Sequence, residues 1–280
     1  MNFFKQFIRL ISSGTSTNRY YEVMNNALMR LAGDYTMLHY PYFKEKGESF
    51  ISSQINLTEY CLSKLTPLKD KRILEIGCGN GVQSVYIADK HHPEILTAID
   101  LNYTNIEIAN SVKARRGTEK VVFHVDDAQN LKSLDDNSFD AVINIESAFH
   151  YPDKLSFLKE VHRVLKPGGE FLIADILTNA KASSFGKKKF WKRKMILHHW
   201  HMDNYLNGFA KSGLQVKSKS DITRNVIRGF KNYRFWLKTK QKSGFFHDMA
   251  FRIFYLINIH LNIYLLKRYR RYMVFVGTKS

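Results

Sequence analysis

The fold of this chain is decided at residues 72–82, which read Arg-Ile-Leu-Glu-Ile-Gly-Cys-Gly-Asn-Gly-Val. The apolar run predicts a buried strand that stops at three glycines spaced two apart, and residues 83–89 continue as a helix. Glycines at a strand-to-helix turn let the backbone approach a ligand closely, because a Cβ atom would collide with it. This turn therefore predicts a ligand site.

Two acidic residues accompany the turn in a pattern typical of nucleoside sites. Glu75 stands two positions before the first glycine, and Asp100 ends the next apolar run, residues 95–99. An acid at a strand end about twenty residues after the glycines can accept hydrogen bonds from both hydroxyls of a ribose. The chain is therefore expected to bind a cofactor that contains adenosine.

Two kinds of cofactor that contain adenosine, dinucleotides and S-adenosylmethionine, have to be distinguished. The dinucleotide fingerprint is G-x-G-x-x-G, but Val82 stands where its third glycine belongs, and the spacing here is G-x-G-x-G. This acid-led pattern resembles the first motif of class I S-adenosylmethionine-dependent methyltransferases, whose cationic cofactor benefits from a nearby carboxylate. The resemblance implies that the cofactor is bound by Glu75, Gly77, Cys78, Gly79, Gly81, Asp100 and Leu101.

Later segments follow in the order of the same family. Residues 121–128 are similar to its third segment, where an Asp-Ala pair, here Asp127 and Ala128, meets the adenine amino group; Asp126 departs from the glycine often found there. Residues 138–146 match the fourth strand, with Glu146 at its C-terminal mouth as a further cofactor contact. Residues 157–175 match a helix, a Pro-Gly-Gly turn and a strand. The resemblance covers residues 72–177 and implies an α/β, Rossmann-like sheet of seven strands with helices on both faces.

The chain divides into four expected parts. These are an N-terminal helical cover (1–66), an S-adenosylmethionine-binding core (67–223), a helical lid insertion (224–270) and a final core strand (271–280). Helices are also expected at 183–197 and 201–212, with a sixth strand at 214–223. Residues 1–11 are predicted to form an amphipathic helix, with apolar side chains on one face and polar side chains on the other. The uncharged stretch 253–266 is shorter than the roughly 20 residues that a spanning helix needs.

Composition indicates where the protein works. The 280 residues carry a formal net charge of +18, with dense basic runs at 187–194 and 267–271. Such charge favours polyanionic partners, either an anionic membrane or, less favoured, nucleic acid. Two cysteines, Cys61 and Cys78, give no disulfide framework, and Lys5 and Arg9 interrupt any signal-peptide pattern. A cytoplasmic protein is expected, with peripheral contact at the cytosolic membrane face.

The candidate catalytic residues follow the fourth and fifth strands. His150 lies just past the mouth of strand four and has a side chain suited to proton removal, and Asp175 ends strand five. Tyr20, Tyr21 and His39 are candidate acceptor contacts from the cover, and no metal ligands are assigned.

The acceptor class is indicated by the loop after strand four. The Asn/Asp-Pro-Pro-aromatic tetrad of nucleic-acid amino-methylating enzymes is missing from this loop. The sequence instead resembles small-molecule and lipid O- or C-methyltransferases, loosely including sterol, macrolide and phenolphthiotriol enzymes. A nucleic-acid methyltransferase and a binding protein with a basic surface stay open as alternatives, and the oligomeric state is not predicted.

Overall fold

The computed structural model describes residues 17–179, 197–239 and 245–280. Its strands are β1 (Arg72–Ile76), β2 (Ile95–Asp100), β3 (Val121–Val125), β4 (Phe139–Ile145), β5 (Leu165–Thr178), β6 (Leu214–Asp221) and β7 (Arg270–Lys279). Its helices are α1 (Thr17–Ala32), α2 (Phe50–Leu62), α3 (Val82–His91), α4 (Tyr103–Arg116), α5 (Lys154–Val164), α6 (Met202–Ser212), α7 (Thr223–Thr239) and α8 (Phe245–Arg268). A 3-10 turn, Ala148–His150, follows β4. The predicted segments 1–11 and 187–194, and all but the last residue of the helix predicted at 183–197, lie outside the described residues.

The seven strands form one sheet in the order β3-β2-β1-β4-β5-β7-β6. The first five strands pair in parallel, and β7 is antiparallel to both β5 and β6. Parallel pairing aligns the carboxyl ends of β1, β2 and β4 on one edge, where open α/β sheets bind ligands. The predicted seven-stranded α/β fold is confirmed.

Both faces of the sheet are buried, which explains the nearly continuous apolar strands. Successive strand residues point to opposite faces, so Ile73 packs into one core and Leu74 into the other, and both are fully buried. The helices α2, α3, α4, α7 and α8 contribute to the first core, whereas α5 and α6 contribute to the second. The sheet thus lies between two layers of helices.

The insertion predicted as a lid consists of α7 and α8 in the described residues. It packs on the cover: the Tyr40 hydroxyl donates to Asn262 Oδ1 at 2.8 Å, and the rings of Tyr40 and Phe230 lie 4.6 Å apart. The described residues of the insertion do not line the cavity at the carboxyl edge of the sheet. A lid role for this insertion stays a prediction. Within the described ranges, no helix is long and apolar enough to cross a bilayer.

Candidate active site

A cavity of about 360 Å³ lies at the carboxyl edge of the sheet, where Ile76, Asp100 and Ile145 end β1, β2 and β4. Most of the residues singled out in the sequence line it. They are Glu75, Gly77, Cys78, Gly79, Asp100, Leu101, Asp127, Ala128, Glu146, His150, Tyr21 and His39. The fold therefore brings together residues from four sequence segments and from the N-terminal cover.

The glycine turn shapes the floor of the cavity. The backbone N–H groups of Gly77 and Cys78 both donate to the Ile99 carbonyl, at 2.8 and 2.9 Å. Gly77 has a φ of 76°, and a Cβ atom there would lie 2.2 Å from the Ser147 hydroxyl oxygen. Only glycine fits both the backbone conformation and the space at this position. The turn can therefore pass directly beneath a ligand.

Asp100 is anchored to the same turn. Its Oδ2 accepts from Gly79 N at 2.9 Å, and its Oδ1 accepts from Asn102 N at 2.8 Å and from Asn105 Nδ2 at 3.3 Å. A carboxylate has about four acceptor positions, so one position on Oδ2 remains for a ribose hydroxyl. Burial raises the pKa of Asp100, and the bonds from Asn102 and Gly79 act in the opposite direction. The aspartate thus holds the turn in shape and also lines the cavity.

Glu75 is a buried acid that is only half satisfied. Gln83 Nε2 donates to its Oε1 at 2.7 Å, whereas Oε2 has no hydrogen-bond partner. Burial raises the pKa of Glu75 to about 7, and the nearby Ser84 hydroxyl and Gln83 amide act in the opposite direction. An unpaired buried carboxyl oxygen in a cavity wall is a site for a cationic group such as an ammonium.

Glu146 is the second buried acid of the cavity. Its φ of 58° is uncommon for a residue with a side chain and indicates a functional constraint. Its Oε2 accepts hydrogen bonds from Tyr40 N and, at 3.3 Å, from the Tyr272 hydroxyl. Burial raises the pKa of Glu146 well above 4.5. The carboxyl therefore gains from any positive charge that enters the cavity.

The strand β3 ends at Val125, before the end of the β segment predicted over residues 121–128. Asp127 and Ala128 therefore lie in the turn that follows the strand. Asp127 Oδ1 accepts from the backbone and side-chain nitrogens of Gln129, at 2.9 and 3.1 Å. Ala128 is only 6 % exposed. This corner offers a small apolar surface beside acceptor oxygens, which suits an adenine ring.

His150 and Tyr21 meet at the cavity wall across 129 residues of sequence. The Tyr21 hydroxyl lies 2.8 Å from His150 Nε2, and His150 Nδ1 is buried without a partner. Burial lowers the pKa of His150 to about 4, and the positive charge of Lys154 contributes to the same direction. The imidazole is therefore neutral at ordinary pH and carries one unprotonated nitrogen. Tyr20 does not line the cavity; its ring packs edge-on against Tyr21 at 5.3 Å.

His39 lines the cavity but is tied into the cover. Its Nδ1–H donates to the Tyr40 carbonyl, and its Nε2 pairs with the Thr58 hydroxyl, both at 3.1 Å. Burial lowers the pKa of His39 to about 4. Both nitrogens are used by the protein, so the histidine shapes the wall with little capacity left for an acceptor.

Two predicted residues lie behind the wall. A Cβ atom on Gly81 would lie 2.5 Å from Ala109 Cβ, so this glycine packs α3 against α4. Asp175 is fully buried, and its Oδ2 accepts from the Tyr205 hydroxyl. Its carboxyl also interacts with the backbone N–H of Phe149, the neighbour of His150. Asp175 thus supports the turn that carries His150, and its predicted catalytic role stays a prediction.

Sequence reasoning missed the polar side chains that join cover and core. Asn80 Nδ2 donates to Asn25 Oδ1 at 2.8 Å and to the Thr36 carbonyl at 2.9 Å, and Asn25 Nδ2 donates to Asn105 Oδ1 at 3.1 Å. All four residues are buried. The only sequence signal for this group of side chains was the position of Asn80 inside the glycine motif. An asparagine within a helix gives no sequence signal of such a contact.

These features fit S-adenosylmethionine. The unpaired Glu75 oxygen suits its ammonium group, Asp100 and the glycine turn suit its ribose, and two buried acids suit its net positive charge. An open α/β sheet in this strand order with such a cavity defines the class I methyltransferase type of protein.

Comparison with known proteins supports the assignment to the methyltransferases. A family described as a methyltransferase domain matches residues 67–226. The chain is 37 % identical over 162 residues to a phthiotriol/phenolphthiotriol dimycocerosates methyltransferase of Mycobacterium leprae, covering 58 % of this chain and 51 % of the relative. It is 44 % identical over 162 residues to a fatty-acid O-methyltransferase of Mycolicibacterium smegmatis, covering 58 % and 50 %. The chain thus spans about half the length of these curated relatives.

A solved structure also shares the fold. A putative sarcosine dimethylglycine methyltransferase from Galdieria sulphuraria superimposes with a TM-score of 0.76 at 16 % identity, covering 94 % of this chain and 98 % of that one. The chain belongs to the methyltransferase domain family, whose cofactor is S-adenosylmethionine.

Proposed function

We propose that this protein transfers the methyl group of S-adenosylmethionine to an oxygen atom of a small, apolar or lipid-like acceptor. The observation that carries the proposal is the neutral His150, paired with Tyr21 beside the acid-lined cofactor cavity. Two relatives, a phthiotriol/phenolphthiotriol dimycocerosates methyltransferase and a fatty-acid O-methyltransferase, support a lipid-like acceptor. The loop after β4 lacks the tetrad of nucleic-acid enzymes, which disfavours that alternative.

Methyl transfer to an oxygen needs an electrophilic methyl carbon, an aligned acceptor oxygen and a group that removes the acceptor's proton. The cofactor, when bound, supplies an electrophilic methyl carbon on a positively charged sulfur. The wall formed by Tyr21 and His150 would align an acceptor oxygen with that carbon. In the tautomer with its proton on Nε2, His150 donates to the Tyr21 oxygen and its buried Nδ1 is left without a hydrogen bond, so this pair would take up the acceptor's proton.

The proposal also includes contact of the protein with an anionic membrane. The formal charge of +18 supports it, because an acidic lipid surface attracts such a protein and would bring it to a lipid acceptor.

The test is methyl transfer into extracts. Purified protein, S-adenosylmethionine labelled in its methyl group, and lipid and metabolite extracts of the producing cells are incubated together, and products are identified by mass spectrometry. We expect label in an apolar product as a methyl ether or ester, and much less with His150→Ala. Label that enters only RNA added in parallel would replace this proposal by the nucleic-acid alternative.

A further inference from the structure

One face of α8 exposes large apolar side chains. Ile253 is 52 % exposed, Ile257 is 61 % exposed and Tyr264 is 45 % exposed. Spacings of four and seven residues place all three on the same side of a helix. We call Ile253, Ile257 and Tyr264 the α8 stripe. Isoleucines more than half exposed and aligned on one helix face indicate a contact surface rather than isolated exposed residues.

The opposite face of α8 holds the helix on the protein. Tyr255 is 6 % exposed, Ile259 is 2 % exposed and Leu266 is 4 % exposed. On the same side, Asn262 Oδ1 accepts from the Tyr40 hydroxyl of the cover. These contacts fix the rotation of α8 about its own axis. The α8 stripe on the opposite face therefore points away from the core.

The stripe ends in positive charge. Lys267 and Arg268 are exposed and follow Tyr264 within about one turn of α8. Among the described residues, no carboxylate forms an ion pair with either side chain. Residues 253–271 contain no aspartate or glutamate, and the whole chain carries a formal charge of +18. A second copy of the chain would bring an equal positive charge to this surface, whereas an anionic lipid surface would neutralise it.

We infer that the α8 stripe, with Lys267 and Arg268, docks the protein on an anionic lipid bilayer with α8 lying parallel to the membrane plane. The isoleucines enter the boundary between headgroups and acyl chains, Tyr264 lies at headgroup level, and the two basic side chains meet acidic headgroups. The inference deepens the proposed function, since it names the surface through which the enzyme reaches a membrane-resident acceptor. The docking itself does not require that the acceptor be a lipid.

The test is co-sedimentation of the full-length protein with vesicles of phosphatidylcholine and phosphatidylglycerol. The variant Ile257→Asp removes an apolar contact and adds a negative charge to the stripe. The matched control is Ile51→Asp, because Ile51 is a 46 % exposed isoleucine on α2, outside the stripe. We expect Ile257→Asp to weaken vesicle binding at least about tenfold, and Ile51→Asp to change it by less than about threefold.

The charge is tested separately. The double variant Lys267→Glu/Arg268→Glu should weaken binding to the anionic vesicles by about tenfold or more and leave binding to pure phosphatidylcholine vesicles unchanged. Calorimetric titration with S-adenosylhomocysteine should give the same affinity in every variant, since none of the changed residues lines the cavity. That titration also shows that the variants are folded.

Three results would overturn the inference. They are Ile257→Asp sedimenting like the unchanged protein, a dimer in sedimentation velocity that Ile257→Asp dissociates, and vesicle binding that depends only on residues 1–11. The proposed function fails on a different result, which is no methyl transfer even when extracts are dispersed in detergent. The two failures are therefore distinguishable.

Discussion

At the residue scale, the cavity is defined by acids without counter-charges. In the described part of the chain, neither Glu75 nor Glu146 forms an ion pair, although both are buried. Burial raises the pKa of both carboxyls and thereby favours their protonated forms, so a cationic ligand that binds beside them displaces protons. Cofactor binding should therefore strengthen as pH rises toward 7 and should release protons.

Glu75 also links stability to pH. Because its pKa rises from 4.5 to about 7 on folding, the folded state binds this proton more tightly, and stability falls as pH rises between these values. Glu75→Gln removes that loss. We expect its melting temperature to exceed that of the unchanged protein near pH 8, by an amount equivalent to about 1–3 kcal/mol, and to match it near pH 4. A variant that is less stable at both pH values would contradict this account of Glu75.

Asp100 should dominate recognition of the ribose. Asp100→Ala removes one charge-assisted bond to the ligand, about 1.5–3 kcal/mol, and frees the Gly79 N–H that shapes the turn. We expect the dissociation constant for S-adenosylhomocysteine to rise at least about tenfold. Asp100→Asn keeps an acceptor oxygen for the turn and should lose less. Equal affinity in all three proteins would remove Asp100 from the site.

His150 carries the chemical part of the proposal. If the acceptor is a hydroxyl, His150→Ala should lower kcat by about 10²-fold and leave cofactor affinity nearly unchanged. With a pKa of about 4, the neutral imidazole should give no inflection in kcat, measured at saturating cofactor, between about pH 6 and pH 8. Tyr21→Phe, which keeps the ring but loses the 2.8 Å bond, should have a smaller effect. Full activity of His150→Ala would assign the proton to another group.

At the scale of elements, Gly81 distinguishes packing from ligand contact. Gly81→Ala would place a Cβ atom 2.9 Å from the Ala109 backbone and 2.8 Å from the Phe123 ring. Gly81 also has a φ of 74°, a backbone conformation that residues with a side chain rarely adopt. Gly117 is the matched control, because it has a φ of 66° and a Cβ atom added there would meet no atom within 4 Å. We expect Gly81→Ala to lower the melting temperature more than Gly117→Ala does. Equal effects would mean that backbone conformation alone explains the cost.

The seven-stranded α/β fold could be predicted through the family resemblance, and the cofactor side of the site could be predicted because its signals are local. An apolar run, a glycine turn and an acid at a strand end lie within about thirty residues of one another, as the nucleoside fingerprint requires. The predicted Glu75, Asp100 and Asp127 all reach the cavity for this reason. Their roles toward a bound cofactor stay predictions.

The acceptor side could not be predicted to the same depth. Tyr21 was named as a candidate, but its partnership with His150 spans 129 residues and depends on how α1 lies over the sheet. Asn102 caps α4 through a bond to Thr104 N, and capping alone explains such an asparagine in sequence. Only the fold shows that it also lines the cavity.

At the scale of the whole molecule, the cover and the core form one site. Asn25 on α1 bonds to Asn105 on α4 and to Asn80 in the glycine turn, so the cover is held directly over the cofactor cavity. A ligand that fills the cavity stabilises both parts together. At about one hundred times its dissociation constant, the stabilisation would be about 2.7 kcal/mol.

Isothermal titration calorimetry of the purified protein with S-adenosylmethionine, S-adenosylhomocysteine and NAD tests the central claim most directly. The acid-led glycine turn, with Val82 in the place of a third dinucleotide glycine, predicts one site for each of the first two ligands and none for NAD. The affinity for S-adenosylmethionine should increase as pH rises through about 7, in step with the pKa of Glu75. Tight binding of NAD without any heat from S-adenosylhomocysteine would contradict the account.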